Sequence, residues 1–434
     1  MVPKYRKRMS TSHPNNEGVI QPAGLRGIFR ALRARNFRLF FVGQTISLTG
    51  TWMQMVASSW LVYRLTDSAF LLGLVGFTGN LPSLFFAPFA GVYADRLNRR
   101  RMLIIIQSLA MVQALVFAVL TLTGAIAVWH IIALSMFLGV INAFDMPVRQ
   151  SFMIEMIDRK EDLSNAIALN SSMVNASRLI GPSMAGILIA AAGEGICFLL
   201  NGLSYVAVII SLLAMRITPI KRENGNEPVF QGLKEGFGYA FSFTPIRSVL
   251  LLLALVNIVG MPYTILMPVF ARDILRGGPQ TMGFLMAAMG VGALSGALYL
   301  AGRRSVRGLG RMAPLSAGVF GLGLAMFALS REFWLSVILM LVTGVGMIVQ
   351  FASSNTVLQT IADEGMRGRV MSMYTMAFRG VAPFGNLMAG SLAGAIGAPH
   401  TLLLGGVSCM IGAFVFAKYV PRLKRSTPSS QVFD

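Results

Sequence analysis

The uncharged runs in this chain are long. No Asp, Glu, Lys or Arg interrupts 39–63, 68–94, 102–144, 195–215, 248–271, 277–302, 312–330, 333–362 or 380–417. A helix crossing a bilayer needs about 20 predominantly apolar residues, because each residue advances it by about 1.5 Å. The run at 102–144 holds two such lengths and breaks at Thr123-Gly124, and the run at 380–417 breaks at Gly397-Ala398-Pro399. Residues 163–193 are free of charge apart from Arg178. The pattern predicts an all-α membrane protein with twelve spans, near 38–63, 69–94, 102–123, 126–149, 163–192, 195–216, 247–271, 279–302, 312–330, 333–358, 368–396 and 400–420.

The one long polar interruption, 217–246, divides the spans into two sets of six. Within it Phe230, Leu233, Phe237 and Phe241 recur at helical intervals, as in an amphipathic helix lying on a membrane face. The expected organisation is therefore a basic disordered tail (1–36), a first half (37–216), a linker (217–246), a second half (247–420) and a short tail (421–434). A repeat relates the halves. Arg178-Leu-Ile-Gly-Pro182 in the fifth span is echoed by Arg379-Gly-Val-Ala-Pro383 in the eleventh, and Gly193 and Gly394 follow at equal distances.

Composition agrees with this class. Hydrophobic residues make up 55% and charged residues 12%, against about 25% charged in soluble domains. The net charge of +20 would point to nucleic acid in a soluble protein. Here its distribution excludes that reading. Apart from Arg64, Arg272, Arg276 and Arg331 in one set of loops, and Arg178 and Arg379 inside spans, every Lys and Arg falls on the opposite side. By the positive-inside rule both termini are cytoplasmic, and the basic tail touches anionic lipid. Trp60, Trp129 and Trp334 fall at predicted outer helix ends, where amphipathic rings collect. The first 36 residues lack the apolar core of a signal peptide. His13, His130 and His400 are scattered, so no metal site or cofactor is expected. There is no phosphate-cradling glycine loop of an ATP-driven pump.

The densest motif lies between the second and third spans: Gly91-Val-Tyr-Ala-Asp95-Arg96-Leu-Asn98-Arg99-Arg100-Arg101. It resembles the Gly-x-x-x-Asp-Arg-x-Gly-Arg-Arg/Lys loop of the major facilitator superfamily, with Asn98 where Gly is usual. Asn also tolerates a left-handed turn. Ala143-Phe-Asp145-Met-Pro147-Val-Arg149-Gln150, Glu161-Asp-Leu-Ser-Asn165 and Met366-Arg-Gly368-Arg369 are similar to the bacterial exporter branch of enterobactin-type siderophore exporters and macrolide efflux proteins. The resemblance spans about residues 36–420. It implies two parallel six-helix halves with a site between them, export of a small amphiphilic or anionic molecule by alternating access and proton-driven antiport, a monomer in the cell membrane, and no enzymatic activity; the alternative is a facilitator or importer of a metabolite or lysophospholipid.

It also implies a gate. Asp95 and Arg99 would join an acid of the fourth helix, for which Asp145 is available, with Arg149 an alternative partner; Gly91, Arg96 and Arg100 complete the loop. Arg178 and Arg379 lie near mid-membrane, where a charge faces a cavity or a partner. They could line the substrate cavity, or bind carbonyls freed by Pro182 and Pro383 and pin the helix bends. Gln54 and Asn257 are polar candidates for the cavity wall. Gly181-Pro182-Ser-Met-Ala-Gly186 resembles the antiporter packing motif of helix 5, with Ser177 and Ala185 replacing two glycines. Of seventeen Asp and Glu, Asp145 alone comes near a helix interior, so proton coupling would fall to it or to the substrate.

Overall fold

A computed structural model describes residues 29–217, 237–303 and 305–426; the side chains of 87–96, Lys160 and 420–426 lie outside the described part. The first half contains α1 (Arg35–Thr66), α2 (Ala69–Arg96), α3 (Arg99–Leu122), α4 (Val128–Met153), α5 (Leu163–Ala192) and α6 (Glu194–Ala214). The second contains α7 (Thr244–Ile274), α8 (Pro279–Ala301), α9 (Leu309–Leu329), α10 (Phe333–Ile361), α11 (367–396) and α12 (Ala398–Ser426). No strand occurs among the described residues. Ten of these helices are long and apolar enough to cross a membrane. The other two are α1, which carries polar residues throughout, and α11, which is interrupted.

Turn chemistry sets the boundaries. Gly124 (φ 72°), Gly193 (φ 82°) and Gly397 (φ 86°) end α3, α5 and α11 in conformations that suit glycine. Asn98 does not use the left-handed freedom expected of it. Its φ is −67°, and its side chain accepts a hydrogen bond from the Arg101 N–H as the N-cap of α3. A capping side chain is thus what Asn supplies in place of Gly.

Within the first half α6 packs on α1 and α3, and α2 on α4; within the second, α9 packs on α10 and α12, and α8 on α10. The halves meet along two pairs, α5 with α8 and α2 with α11, which the internal repeat relates to each other. Glycine makes both crossings close. A Cβ on Gly73 of α2 would lie 2.7 Å from the Gly390 Cα of α11, and one on Gly186 of α5 would lie 2.8 Å from the Pro279 carbonyl oxygen. In lipid, helices associate through such close packing because no hydrophobic gain separates a helix neighbour from a lipid tail.

The two repeat-related helices differ. α5 runs unbroken through Pro182. α11 is α-helical over Arg367–Thr375, π-helical over Met376–Gly380 and α-helical again over Ala382–Ile396. α7 contains two further π segments, Val256–Gly260 and Phe270–Ile274. Trp129 and Trp334 are exposed at helix starts, but Trp60 is buried in the core. The aromatic-belt expectation fails for Trp60 because its ring packs inside the bundle. Most of the 217–246 linker lies outside the described residues. Residues 237–242 are helical, with the exposed Phe237 and Phe241 rings stacked 4.3 Å apart.

Candidate functional site

The expected gate divides into three local arrangements. The side chains of Gly91, Asp95 and Arg96 lie outside the described residues. Arg99, at the start of α3, is 4% exposed and meets the Glu155 carboxylate at 2.7 Å, beside the Ser151 carbonyl at 3.4 Å. Among the described residues the acid against it is Glu155, in the turn after α4, and not Asp145. Arg100 instead donates to the Leu212 and Leu213 carbonyls at 2.7 and 2.8 Å. These are orphan acceptors of the α6 C-terminus, where a cation is favoured.

Asp145 sits one turn before Arg149 on α4 and pairs with it at 3.2 Å, while Gln107 of α3 donates to its other oxygen at 2.8 Å. Arg379 is exposed on the π segment of α11, which packs against α2 of the first half, with Gly380 beside Leu84.

Arg178 is a bridge between the halves. From α5 its guanidinium lies over the Trp52 ring of α1, 5.4 Å from the centroid, and donates to the Met347 Sδ of α10 at 3.5 Å. These contacts leave the helix rather than return to its own carbonyls. At the other repeat, the Arg379 carbonyl released by Pro383 accepts from the Val381 N–H. The geometry therefore gives neither arginine the kink-pinning contact.

The remaining expected residues have structural partners. Gln54 is 4% exposed; it donates to Gln113 at 3.0 Å and accepts from Asn201 at 2.7 Å. It closes the back of a cavity while its own amide is committed to a network joining α1, α3 and α6. Asn257, 3% exposed in a π segment of α7, donates to the Leu253 carbonyl. Gly181 lies against Trp52 of α1, and the Pro182 carbonyl and Gly186 face Gly283 of α8.

Sequence reasoning missed a cluster at the end of the bundle opposite the termini. Tyr63, near the end of α1, donates to the Asp273 carboxylate at the end of α7. Arg272 pairs with Asp67 at 2.5 Å and lies over the Tyr63 ring, 5.7 Å from its centroid. Beside it Arg64 binds Glu194 at 2.7 and 3.2 Å. Asp67 holds a left-handed conformation, φ 49°, at the α1 C-cap, which Asp tolerates better than most side chains. The signal was present: Asp67 and Asp273 are acids in the same loops as Arg64, Arg272 and Arg276, and Glu194 stands in another turn on that side.

This is the architecture of a membrane transporter: two repeated helical halves, a cavity lined by both of them, and glycine crossings at which they meet. The sequence profile of the transmembrane secretion effector family matches residues 27–433, and the chain belongs to that family of major facilitator transporters. It is 26% identical to the staphyloferrin A transporter of Staphylococcus aureus, over 89% of this chain and 97% of that protein. It is 28% identical to the multidrug efflux pump Tap of Mycolicibacterium fortuitum, over 86% and 93%. With macrolide efflux protein A of Streptococcus pyogenes it shares 22% identity over 87% and 94%. Its fold is that of a bacterial homologue of the lysosomal transporter Spinster, solved inward-facing and occupied (TM-score 0.71, 13% identity, 92% of this chain and 98% of that one). It also matches the nucleoside transporter NupG (TM-score 0.68, 15% identity, 89% and 99%). The chain is a multi-pass membrane transporter, not an enzyme.

Proposed function

We propose that the chain exports small anionic or amphiphilic molecules across the cell membrane by alternating access, driven by the proton gradient, as a monomer with both termini in the cytoplasm. One observation carries the substrate class: Arg178 bridges the halves through Trp52 and Met347, and Arg379 stands on the α11 segment packed against α2, with the Asp145–Arg149 pair on α4. A low-dielectric cavity with excess positive charge concentrates anions. The relatives named for efflux of a siderophore, multiple drugs and macrolides support the direction of transport. Proton coupling would fall to Asp145, whose carboxylate is shared between Arg149 and Gln107; neutralising it would release Arg149 to a substrate.

The test uses proteoliposomes loaded with carboxyfluorescein or with an uncharged dye, with and without an imposed pH gradient. Gradient-dependent movement of the anion is expected. Arg178→Gln and Arg379→Gln should slow the anion more than the neutral dye, because only the anion loses a desolvated partner. Equal rates with and without the gradient would identify a facilitator. Equal losses for both dyes would refute the anionic reading.

A further inference from the structure

One turn from the Asp145–Arg149 pair along α4, and two turns from Arg379 along α11, lies a cavity of about 300 Å³ with no charged residue among those lining it. It is enclosed by α1 to α4 of the first half and by α7 and α11 of the second. On α4, Ser135, Leu138 and Asn142 line it, and they fall on the same helical face as Asp145 and Arg149, at spacings of three and four residues. One stripe of α4 thus runs from uncharged amide and hydroxyl to charge. On α11, Asn386 lines the cavity two turns beyond Arg379.

The polar groups of this cavity are of two kinds. Gln54 and Gln113 at the back are committed, to each other, to Asn201 and to the Leu134 carbonyl. Asn142 and Asn386 make no side-chain hydrogen bond among the described residues, and Asn80 spends only its N–H, on the Gly76 carbonyl. Each free amide offers a donor and an acceptor, and none offers a charge. The remaining wall includes Leu72, Val75 and Phe117, and Gly76 and Gly79 of α2 keep that side of the cavity clear. A Cβ on Gly76 would come within 2.9 Å of the Asn386 amide nitrogen. Unpaired amides in an uncharged pocket of aliphatic and hydroxyl side chains orient a ligand group that can both donate and accept.

We infer that this cavity is a recognition subsite for the uncharged, amide- or hydroxyl-bearing arm of a substrate whose carboxylate end is held at Arg379. The assignment rests on the anionic reading above and narrows it: the preferred substrate is bifunctional, carboxylate at one end and neutral polar at the other. The length follows from the fold. Seven residues separate Arg379 from Asn386, about 10 Å of helix, which about three residues of extended chain would span.

Succinyl-triglycinamide is a probe of that form; the succinyl amide of an alkylamine of equal length is its apolar counterpart. Equilibrium binding of both to the purified full-length protein is the measurement. The polar probe should bind about tenfold tighter, as expected for a pair of well-made neutral hydrogen bonds. Asn142→Leu and Asn386→Leu should each reduce that preference strongly while the alkyl probe still binds, which also reports that the variants are folded. Gly79→Leu should weaken both probes by filling the cavity. If both succinyl probes bind equally and in an Arg379-dependent way, the subsite is refuted and the cationic cavity stands. A polar preference untouched by both asparagine variants refutes the subsite too. If neither probe binds, or Arg379→Gln leaves binding unchanged, the anionic reading falls and takes the subsite with it.

Discussion

Replacing Tyr63 by Phe should loosen the end of the bundle opposite the termini, because a single hydroxyl holds more there than the neighbouring ion pair. The Tyr63 hydroxyl donates to the Asp273 carboxylate in a partly buried setting. Hydrogen bonds to a charged group contribute about 1.5–3 kcal/mol. The Asp67 and Arg272 side chains are 69% and 41% exposed, and such surface pairs contribute only about 0–1 kcal/mol. Tyr63→Phe keeps the ring beneath Arg272 and removes only the O–H. With about 1.4 kcal/mol per tenfold, the population open at this end should rise roughly tenfold to hundredfold, while Asp67→Asn should raise it no more than about fivefold. Leu72, 2% exposed on α2, lines the cavity below the cluster. A cysteine there, in a background keeping the buried Cys197 and Cys409, gives the readout. The rate of labelling by a membrane-impermeant maleimide should follow the open population. An unchanged rate in Tyr63→Phe, or a larger effect of Asp67→Asn, would refute the reasoning.

Two further outcomes follow from packing. Glu155→Gln removes a carboxylate from the buried Arg99 and should lower the melting temperature in detergent more than Asp145→Asn does, because the Asp145 pair is the more exposed; the reverse order would contradict the pairing described. Gly186→Ala places a Cβ 2.8 Å from the Pro279 carbonyl oxygen, whereas the nearest atom to one at Gly394 is the Phe70 Cβ at 3.8 Å. The first should abolish transport while the protein still elutes as a single species on gel filtration, and Gly394→Ala should be tolerated.

The helical membrane architecture was legible because it depends on the length of uncharged runs and on Gly at chain breaks, both written locally. Gly124 and Gly397 show this: each break expected from the sequence coincides with a positive φ. The partners of the charged residues were not legible in the same way. Arg99 could be paired with Asp145 on paper because both stand near one membrane face. Glu155 wins because the turn after α4 returns it to the foot of α3. Gln54 was expected on the cavity wall and does line it, but its amide is not available there. Only the folded bundle reveals that Gln113 and Asn201 already satisfy it, whereas Asn142 and Asn386 are left free. Which polar side chain is spoken for depends on contacts distant in sequence, and no spacing rule encodes them.

The π turn at Arg379 also bears on chain length. A π turn holds one residue more than the α turn it replaces. Losing one residue between Met376 and Gly380 could therefore be absorbed locally, with Asn386 and Gly390 still directed at α2. In the unbroken α5, the same loss near Arg178 would rotate everything beyond it by about 100° relative to α8, turning Gly186 away from Gly283. Of two helices that began as copies, one can change length and the other cannot.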